Sequence, residues 1–166
     1  MNIKCIPVGE LQANCYIITN EKKEAILIDP GAEQEKIEKH LKDRKVVGIL
    51  LTHNHFDHIG ALYYFEQKYN LKHNDKINEF SFELLPTPGH SIDSLTFYFK
   101  EEKIMFTGDF LFSGNIGRMD LPTGSVEDMK KSLEKIAHYP DDITIYPGHG
   151  PFTTLEKEKK NFRYYF

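Results

Sequence analysis

The alternation of apolar and polar residues along the chain predicts short β-strands and amphipathic helices that follow one another. Short apolar stretches end at glycine, proline or polar residues, which is typical of strands. The predicted strands are Ile3–Val8, Cys15–Thr19, Ala25–Ile28, Val46–Leu51, Ser81–Leu85, Ser94–Phe99, Lys103–Phe106 and Ile143–Tyr146. The run Val46–Leu51 contains no polar side chain, which indicates a strand that is buried on both faces.

Apolar residues three or four positions apart predict the helices. The predicted helices are Glu33–Asp43, Ile59–Tyr69, a helix that continues to Ala137, and a short charged helix from about Thr154. Ser125 and Asp128 give the third helix a start that is similar to a capping box. Its buried face is expected to consist of Val126, Met129, Leu133 and Ile136.

The order of these elements indicates the fold class. Strands come first in a meander and then alternate with helices, and the apolar strands need helices to cover their outer faces. We therefore expect an α/β fold with two mixed sheets packed face to face between helical layers. The length of 166 residues fits one domain over residues 1–166.

Composition and charge limit the classes of partner that we expect for this domain. The formal net charge is −4, from 21 Lys+Arg and 25 Asp+Glu, which disfavours nucleic acid and leaves a small-molecule substrate. No stretch approaches the roughly 18 apolar residues of a membrane span, and the first residues lack the apolar core of a signal peptide. Cys5 and Cys15 form no CxxC motif, so we expect two buried free thiols and a cytoplasmic location.

The segment Thr52–His58 concentrates side chains that bind metals. His53, His55 and Asp57 alternate, so in an extended segment they point to one side. His58 follows Asp57 directly and must point elsewhere. One short loop therefore offers two ligand directions, which suits two adjacent metals better than one.

Three further candidate ligands each follow a predicted strand. They are His90, Asp109 and His149, and each comes directly after a glycine that lets the backbone turn. Five imidazoles and two carboxylates suit Zn(II), Fe(II) or Mn(II), and a carboxylate can bridge two metals. The remaining histidines are expected to be solvated; they are His40, His73 and His138.

Together these motifs resemble the metallo-β-lactamase superfamily. The matching segments are Thr52-His53-x-His55-x-Asp57-His58, Pro88-Gly89-His90, Gly108-Asp109 and Pro147-Gly148-His149. The resemblance implies an αββα sandwich and two divalent metal ions, with zinc favoured over iron or manganese. It assigns His53, His55 and His90 to the first metal. It assigns Asp57, His58 and His149 to the second metal, and Asp109 would bridge the two.

Within the superfamily, the chain is similar to the glyoxalase II group. The similarity lies in Asn14-Cys15-Tyr16, in Thr107–Phe112 and in Gly117-Arg118-x-Asp120-Leu121-Pro122. The group hydrolyses thioesters such as S-lactoylglutathione, so the resemblance implies a thioester of glutathione or of another low-molecular-weight thiol. Arg118 matches a basic residue that contacts glutathione in the group. A structural ion pair between Arg118 and Asp120 is the alternative.

The expected reaction uses a hydroxide that bridges the two metals and attacks the thioester carbonyl. Asp57, His58 and Asp109 would be the catalytic ligands, with Asp57 also orienting the hydroxide. The rival enzyme is a mononuclear iron persulfide dioxygenase, whose sequences also carry Gly-Arg-x-Asp. A lactonase or β-lactamase is a further alternative, and a nuclease is less favoured. A non-enzymatic metal-binding domain is disfavoured because all seven ligands are present.

Overall fold

Each half of the chain builds its own mixed β-sheet. The computed structural model describes all 166 residues, which form two compact units, Met1–Ser81 and Phe82–Phe166. Both sheets contain parallel and antiparallel pairs, as predicted from the sequence. No helix has the length and apolar character that crossing a membrane requires. A single domain over residues 1–166 stays a prediction.

The first unit carries a four-stranded sheet in the order β1-β2-β3-β4. Its elements are β1 (Asn2–Val8), β2 (Ala13–Thr19), β3 (Glu24–Ile28), α1 (Gln34–Glu38), β4 (Lys45–Leu50), α2 (Phe56–Ile59) and α3 (Leu62–Tyr69). The first two strand pairs are antiparallel, whereas β3 and β4 are parallel. The carboxyl ends of β3 and β4 therefore lie at the same edge of the sheet.

Side chains from the helices and the sheet of the first unit share one core. Ile37 of α1 and Phe65 of α3 belong to the same buried cluster as Ile17, Leu27 and Ile49. Full burial of an aliphatic or aromatic side chain of this size stabilises the fold by about 1.5–3 kcal/mol. The core therefore fixes the strand ends that carry the candidate ligands.

Two predicted helices of the first unit are shorter than expected. The helix predicted over 59–69 is broken at Gly60 and Ala61, because glycine is a poor helix former and the Ala61 amide donates to the Pro30 carbonyl instead. The helix predicted over 33–43 ends at Glu38. Beyond it the backbone makes tighter turns that still bury Leu41.

The second unit carries a five-stranded sheet in the order β11-β10-β7-β6-β5, with a separate β8–β9 hairpin. Its elements are β5 (Glu83–Pro86), β6 (Leu95–Phe99), β7 (Ile104–Gly108), β8 (Leu111–Phe112), β9 (Asn115–Ile116), α4 (Val126–Ala137), β10 (Thr144–Pro147), β11 (Thr153–Thr154), α5 (Leu155–Lys159) and a 3₁₀ helix (Phe162–Tyr164). Strands β7 and β10 are parallel, and the other neighbours are antiparallel. Because β5 is antiparallel to β6 and β6 to β7, strands β5, β7 and β10 all run in one direction.

Helix α4 begins where the sequence predicts. The Ser125 hydroxyl accepts a hydrogen bond of 3.1 Å from the Asp128 amide, which caps the first turn. Met129, Leu133 and Ile136 are buried, but Val126 is 50% exposed, so its predicted burial is wrong. Val126 is the first residue of the helix and extends beyond the stripe that packs on the core.

The two cysteines differ in exposure. Cys15 is buried in β2, whereas Cys5 is exposed on β1, so the prediction of two buried thiols is wrong for Cys5. Cys5 lies in the first half of β1, the edge strand of its sheet, where Asn2 and Lys4 are exposed as well. Burial raises the pKa of the Cys15 thiol well above its usual range. Neither thiol forms a disulfide.

Candidate metal centre

The first unit presents four candidate ligands on the loop and short helix that follow β4. His53 and His58 are buried, and His55 and Asp57 are half-buried. The ligand atoms of His53 and His55 lie within 4.8 Å of each other, as do those of Asp57 and His58. The distance from His58 Nε2 to Asp57 Oδ2 is 3.5 Å. Residues that the sequence marked as ligands are therefore gathered at one strand end.

Asp29 holds this loop in place from the end of β3. Its Oδ1 accepts a hydrogen bond of 2.8 Å from the Thr52 amide, and its Oδ2 accepts one of 2.6 Å from the Thr52 hydroxyl. The same Oδ2 lies 2.9 Å from His58 Nδ1, which must donate because the carboxylate can only accept. The Thr52 hydroxyl proton is donated to Asp29, so it is not available to His53. His53 Nδ1 therefore donates to the Thr52 hydroxyl oxygen, which lies 3.1 Å away.

The role of Asp29 was missed in the sequence, where Asp29-Pro30-Gly31 was interpreted only as the end of a strand. Its oxygens lie near His53 and His58 and accept hydrogen bonds from Thr52 and His58, which indicates that Asp29 orients the neighbouring ligands. The available signal was its position. It follows a strand end, as the candidate ligands do, in a chain whose chemistry concentrates at strand ends.

The second unit brings three candidate ligands to one edge of its sheet. His90, Asp109 and His149 follow β5, β7 and β10, the three strands that run in the same direction. Asp109 Oδ2 lies 3.4 Å from His149 Nε2 and 3.7 Å from His90 Nε2. One carboxylate oxygen therefore faces two imidazoles, which is the arrangement expected of a bridging ligand.

His90 and Asp109 are positioned by the segment that follows the β8–β9 hairpin. His90 Nδ1 lies 2.8 Å from the Arg118 carbonyl oxygen and must donate to it. The backbone of Gly117 packs so closely on Asp109 that a Cβ there would lie 1.8 Å from the Asp109 carbonyl oxygen. Only glycine fits this position, and it lets Asp109 and His90 share one backbone support.

The donor chemistry of these side chains fits divalent metals. In His53, His58 and His90, Nδ1 donates to an outer partner, so in the neutral ring Nε2 carries the lone pair that would bind a metal. Two donor atoms on one tetrahedral zinc are about 3.3 Å apart, because each lies about 2.0–2.1 Å from the metal. The three Nε2-to-carboxylate distances, 3.4, 3.5 and 3.7 Å, are near that value.

Arg118 pairs with Asp120, which is the alternative that the sequence left open. Arg118 Nε and Nη2 donate to the two Asp120 oxygens at 2.7 and 2.8 Å, and both side chains are mostly exposed. The hydrogen bonds from Arg118 lower the pKa of Asp120 to about 2. Arg118 also lines a cavity together with His90 and Asp109, so the ion pair does not remove it from the candidate site.

The three histidines expected to be solvated have different surroundings. His138 is exposed at the end of α4, as predicted, and His40 is half-buried. His73 is also half-buried, and its Nδ1 lies 2.7 Å from Glu66 Oε1, so it is a hydrogen-bonded structural residue. None of the three belongs to a group of potential metal ligands.

Comparison with known protein families supports the metal chemistry. The family model described as the metallo-beta-lactamase superfamily matches residues 8–73 and 75–149. Hydroxyacylglutathione hydrolase GloC of Haemophilus influenzae is 35% identical over 97% of this chain and 96% of its own length. Probable metallo-hydrolase YqgX of Bacillus subtilis is 33% identical over 96% of this chain and 95% of its own length.

Solved structures share the fold over nearly the whole chain. BLEG-1 B3 metallo-beta-lactamase superposes with a TM-score of 0.92 at 30% identity, covering 98% of this chain and 99% of that one. TTHA1623 in a di-iron-bound form superposes with a TM-score of 0.83 at 30% identity, covering 93% of this chain and 96% of that one. ETHE1 from Myxococcus xanthus superposes with a TM-score of 0.88 at 26% identity, covering 96% of this chain and 82% of that one. These similarities confirm the predicted fold class.

Proposed function

Since the chain belongs to the metallo-β-lactamase superfamily, we propose that it is a binuclear metallohydrolase that cleaves thioesters. Members of this family are metallohydrolases, and the relative from Haemophilus influenzae is named a hydroxyacylglutathione hydrolase. The observation that carries the metal part is the position of Asp109 Oδ2 between two imidazole nitrogens. The thioester part is supported by the name of that relative.

The proposed ligands are the seven residues that the sequence marked. The first metal would be held by His53, His55 and His90, and the second by Asp57, His58 and His149, with Asp109 as the bridge. Three observations support this assignment. Three of the imidazoles have their Nδ1 atoms tethered, one carboxylate oxygen faces two imidazoles, and the family model spans both sets of ligands. We favour zinc, and iron is the alternative because TTHA1623 was solved in a di-iron form.

Divalent metals held there would supply a nucleophilic hydroxide near neutral pH and polarise the substrate carbonyl. The side chains of the protein fix the geometry for that reaction. Asp57 would hold the second metal and orient the nucleophile, while Asp29 keeps His58 in a single ring orientation. Because a thiolate leaves readily, no side chain needs to act as a strong general acid.

The substrate would be a small molecule, a thioester of glutathione or of another low-molecular-weight thiol. Arg118 is proposed to bind a carboxylate of the thiol part, because it lines the same cavity as His90 and Asp109. Its pairing with Asp120 means that a substrate carboxylate must compete for the guanidinium. The reaction would take place in the cytoplasm, since the two cysteines are free thiols and oxidising compartments favour disulfides.

The proposal is tested by a hydrolysis assay on protein loaded separately with Zn²⁺, Fe²⁺ or Mn²⁺. The substrates are S-lactoylglutathione and simpler acyl thioesters. Asp57→Asn and His58→Ala are expected to lower kcat/KM by about 100-fold or more, because each removes a group that fixes transition-state charge. His138→Ala is the matched control, since His138 is exposed and holds no candidate metal. Near-normal rates in folded Asp57→Asn or His58→Ala protein would contradict the proposal.

The iron persulfide dioxygenase is the second candidate activity. It is favoured by the Gly117-Arg118-x-Asp120 stretch, of which Gly117 and Arg118 line the cavity beside His90 and Asp109. One iron per chain together with oxygen consumption on a persulfide would support this activity. Two metals per chain and hydrolysis without oxygen would support the thioesterase.

A further inference from the structure

A cavity in the second unit extends from two of the candidate ligands. It has a volume of about 540 Å³, which is in the range of small-molecule sites, and its wall includes His90 and Asp109. This volume exceeds what a thioester group needs, so a further part of the substrate can occupy the cavity. The side chains of the wall therefore indicate the chemistry of that part.

Apart from the two ligands, the large side chains that line the cavity are mainly apolar. Phe112 lies in β8, Ile116 ends β9, and Met119 follows three residues later. Tyr165 also lines the cavity but offers it no hydroxyl, because that group is buried. Such a wall cannot replace the water that a polar group would lose on entering, whereas an apolar group gains free energy by leaving water.

These apolar side chains are held in place by the core of the second unit. Ile116 is buried in the same cluster as Leu111, and Met119 packs against that cluster. The Phe112 ring meets the His149 imidazole edge to face, with 6.2 Å between the ring centroids. The apolar wall therefore exists before a ligand binds, and binding does not have to order it.

The polar side chains of the wall, other than the two ligands, are exposed. They are Asn115 and Arg118, and Arg118 donates two hydrogen bonds to Asp120. Arg118 is the only Lys or Arg side chain in the wall, so its charge can balance one substrate carboxylate at most. Glutathione carries two carboxylates and an ammonium group, so the cavity matches it poorly. A chain of methylene groups matches the apolar part of the wall.

We infer that the cavity binds a hydrocarbon chain of the substrate, so that thioesters with a butyl- or hexyl-length chain are better substrates than their short-chain counterparts. The inference rests on the proposed thioesterase function, because it places the thioester carbonyl beside His90 and Asp109. The chain belongs to the acyl part or to the thiol part. Its contacts with Phe112, Ile116 and Met119 are of the same kind in either case.

Two series of thioesters, assayed with the metal-loaded wild type, distinguish the two parts. The acyl series is S-ethyl thioacetate, thiobutyrate and thiohexanoate, and the thiol series is S-ethyl, S-butyl and S-hexyl thioacetate. Each fully buried methylene is expected to raise kcat/KM by about 4-fold, mainly through a lower KM, because the chain is bound equally in the ground and transition states. The series that shows the rise identifies the part that occupies the cavity. A flat or falling kcat/KM in both series would overturn the inference.

Two substitutions in the wall locate the chain. The readout is the chain ratio, which is kcat/KM on the longest chain divided by kcat/KM on S-ethyl thioacetate. Met119→Gln keeps the side-chain length but puts an amide in the wall, so the chain ratio should fall by about 3-fold or more. Asn115→Leu replaces an exposed amide of the wall by an apolar group, so the chain ratio should rise by about 2-fold or more.

Leu84→Gln is the matched control, because Leu84 is 44% exposed on β5 and does not line the cavity. It should leave the chain ratio unchanged. Thermal unfolding shows whether each variant is folded, and Asn115→Leu serves as the test if Met119→Gln does not fold, since Asn115 is exposed. A chain ratio equal to that of the wild type in folded Met119→Gln, or in Asn115→Leu where that variant replaces it, would overturn the inference.

A binding measurement separates this inference from the proposed function. S-ethyl-N-acetylcysteamine and S-hexyl-N-acetylcysteamine are thioethers that cannot be hydrolysed at the sulfur. Calorimetric titration of the wild type should show tighter binding of the hexyl compound, by about 4-fold for each buried methylene, and a smaller difference in Met119→Gln. If the wild type hydrolyses none of the thioesters, the proposed function fails. The titration then decides whether the cavity binds a hydrocarbon chain, and equal affinities of the wild type for both thioethers would overturn that role.

Discussion

At the scale of single residues, the candidate centre depends on hydrogen bonds that orient the imidazoles. His58 donates to Asp29, and His90 donates to the Arg118 carbonyl. The candidate ligands could be selected from the sequence, because three histidines and an aspartate within six positions are a chemical signal. Their outer partners could not, because Asp29 meets His58 only after β3 and β4 have paired in parallel.

Asp29→Asn tests this orienting role. The amide nitrogen of asparagine cannot accept the hydrogen bonds that the Thr52 hydroxyl and His58 Nδ1 donate to Asp29 Oδ2. We expect the metal affinity to fall by about 10- to 100-fold, measured by competition with a chromophoric chelator. The backbone should tolerate the change, since Asp29 has a φ of 50° and asparagine adopts that region readily.

Asp43→Asn is the control for this substitution. Asp43 also has a positive φ, of 62°, but it is exposed and hydrogen-bonds none of the candidate ligands. The metal affinity of the Asp43→Asn protein should equal that of the wild type. An unchanged affinity in Asp29→Asn would show that the hydrogen bond to His58 does not matter for metal binding.

At the scale of secondary structure, periodicity predicted the long elements and missed the shortest ones. The apolar runs predicted the main strands, and they do so most clearly for β2 and β7, in which every residue is buried. Strands β8, β9 and β11 have only two residues each, which is too short to show a period of two. The failure to predict β8 and β9 matters for function, because the β8–β9 hairpin and the segment after it form much of the cavity wall.

Gly89→Ala tests how the loop that carries His90 packs on α4. A Cβ at Gly89, where φ is +146°, would lie 2.6 Å from the Met129 Cα, so the loop or the helix must move. The loop is also tied to the helix, because the Ser125 amide donates to the Gly89 carbonyl at 2.8 Å. We expect a loss of about 3 kcal/mol or more in the free energy of unfolding, measured by urea denaturation of the metal-free protein.

Gly114→Ala separates the steric clash from backbone strain. Gly114 has a φ of +76°, but a Cβ there would meet no atom within 4 Å. The substitution therefore introduces only the backbone strain of a positive φ, and we expect the free energy of unfolding to fall by about 1 kcal/mol. If both variants lost the same free energy, close packing of Gly89 on α4 would not be the cause.

At the scale of the whole molecule, the fold class and the family could be predicted from the sequence. The order of strands and helices indicated an α/β fold with two mixed sheets, and the four motifs identified the superfamily. The substrate cavity could not be predicted, because its wall combines the region of the β8–β9 hairpin with Tyr165, 45 or more positions later in the chain. No periodicity connects such distant segments.

The number of metal ions bound per chain tests the central claim most directly. Wild-type protein, His58→Ala and His138→Ala are loaded with Zn²⁺, freed of excess metal and examined by elemental analysis. A binuclear centre predicts two zinc ions per wild-type chain, two in His138→Ala and about one in His58→Ala. One or no zinc ion in the wild type, or an unchanged count in folded His58→Ala, would contradict the binuclear hydrolase.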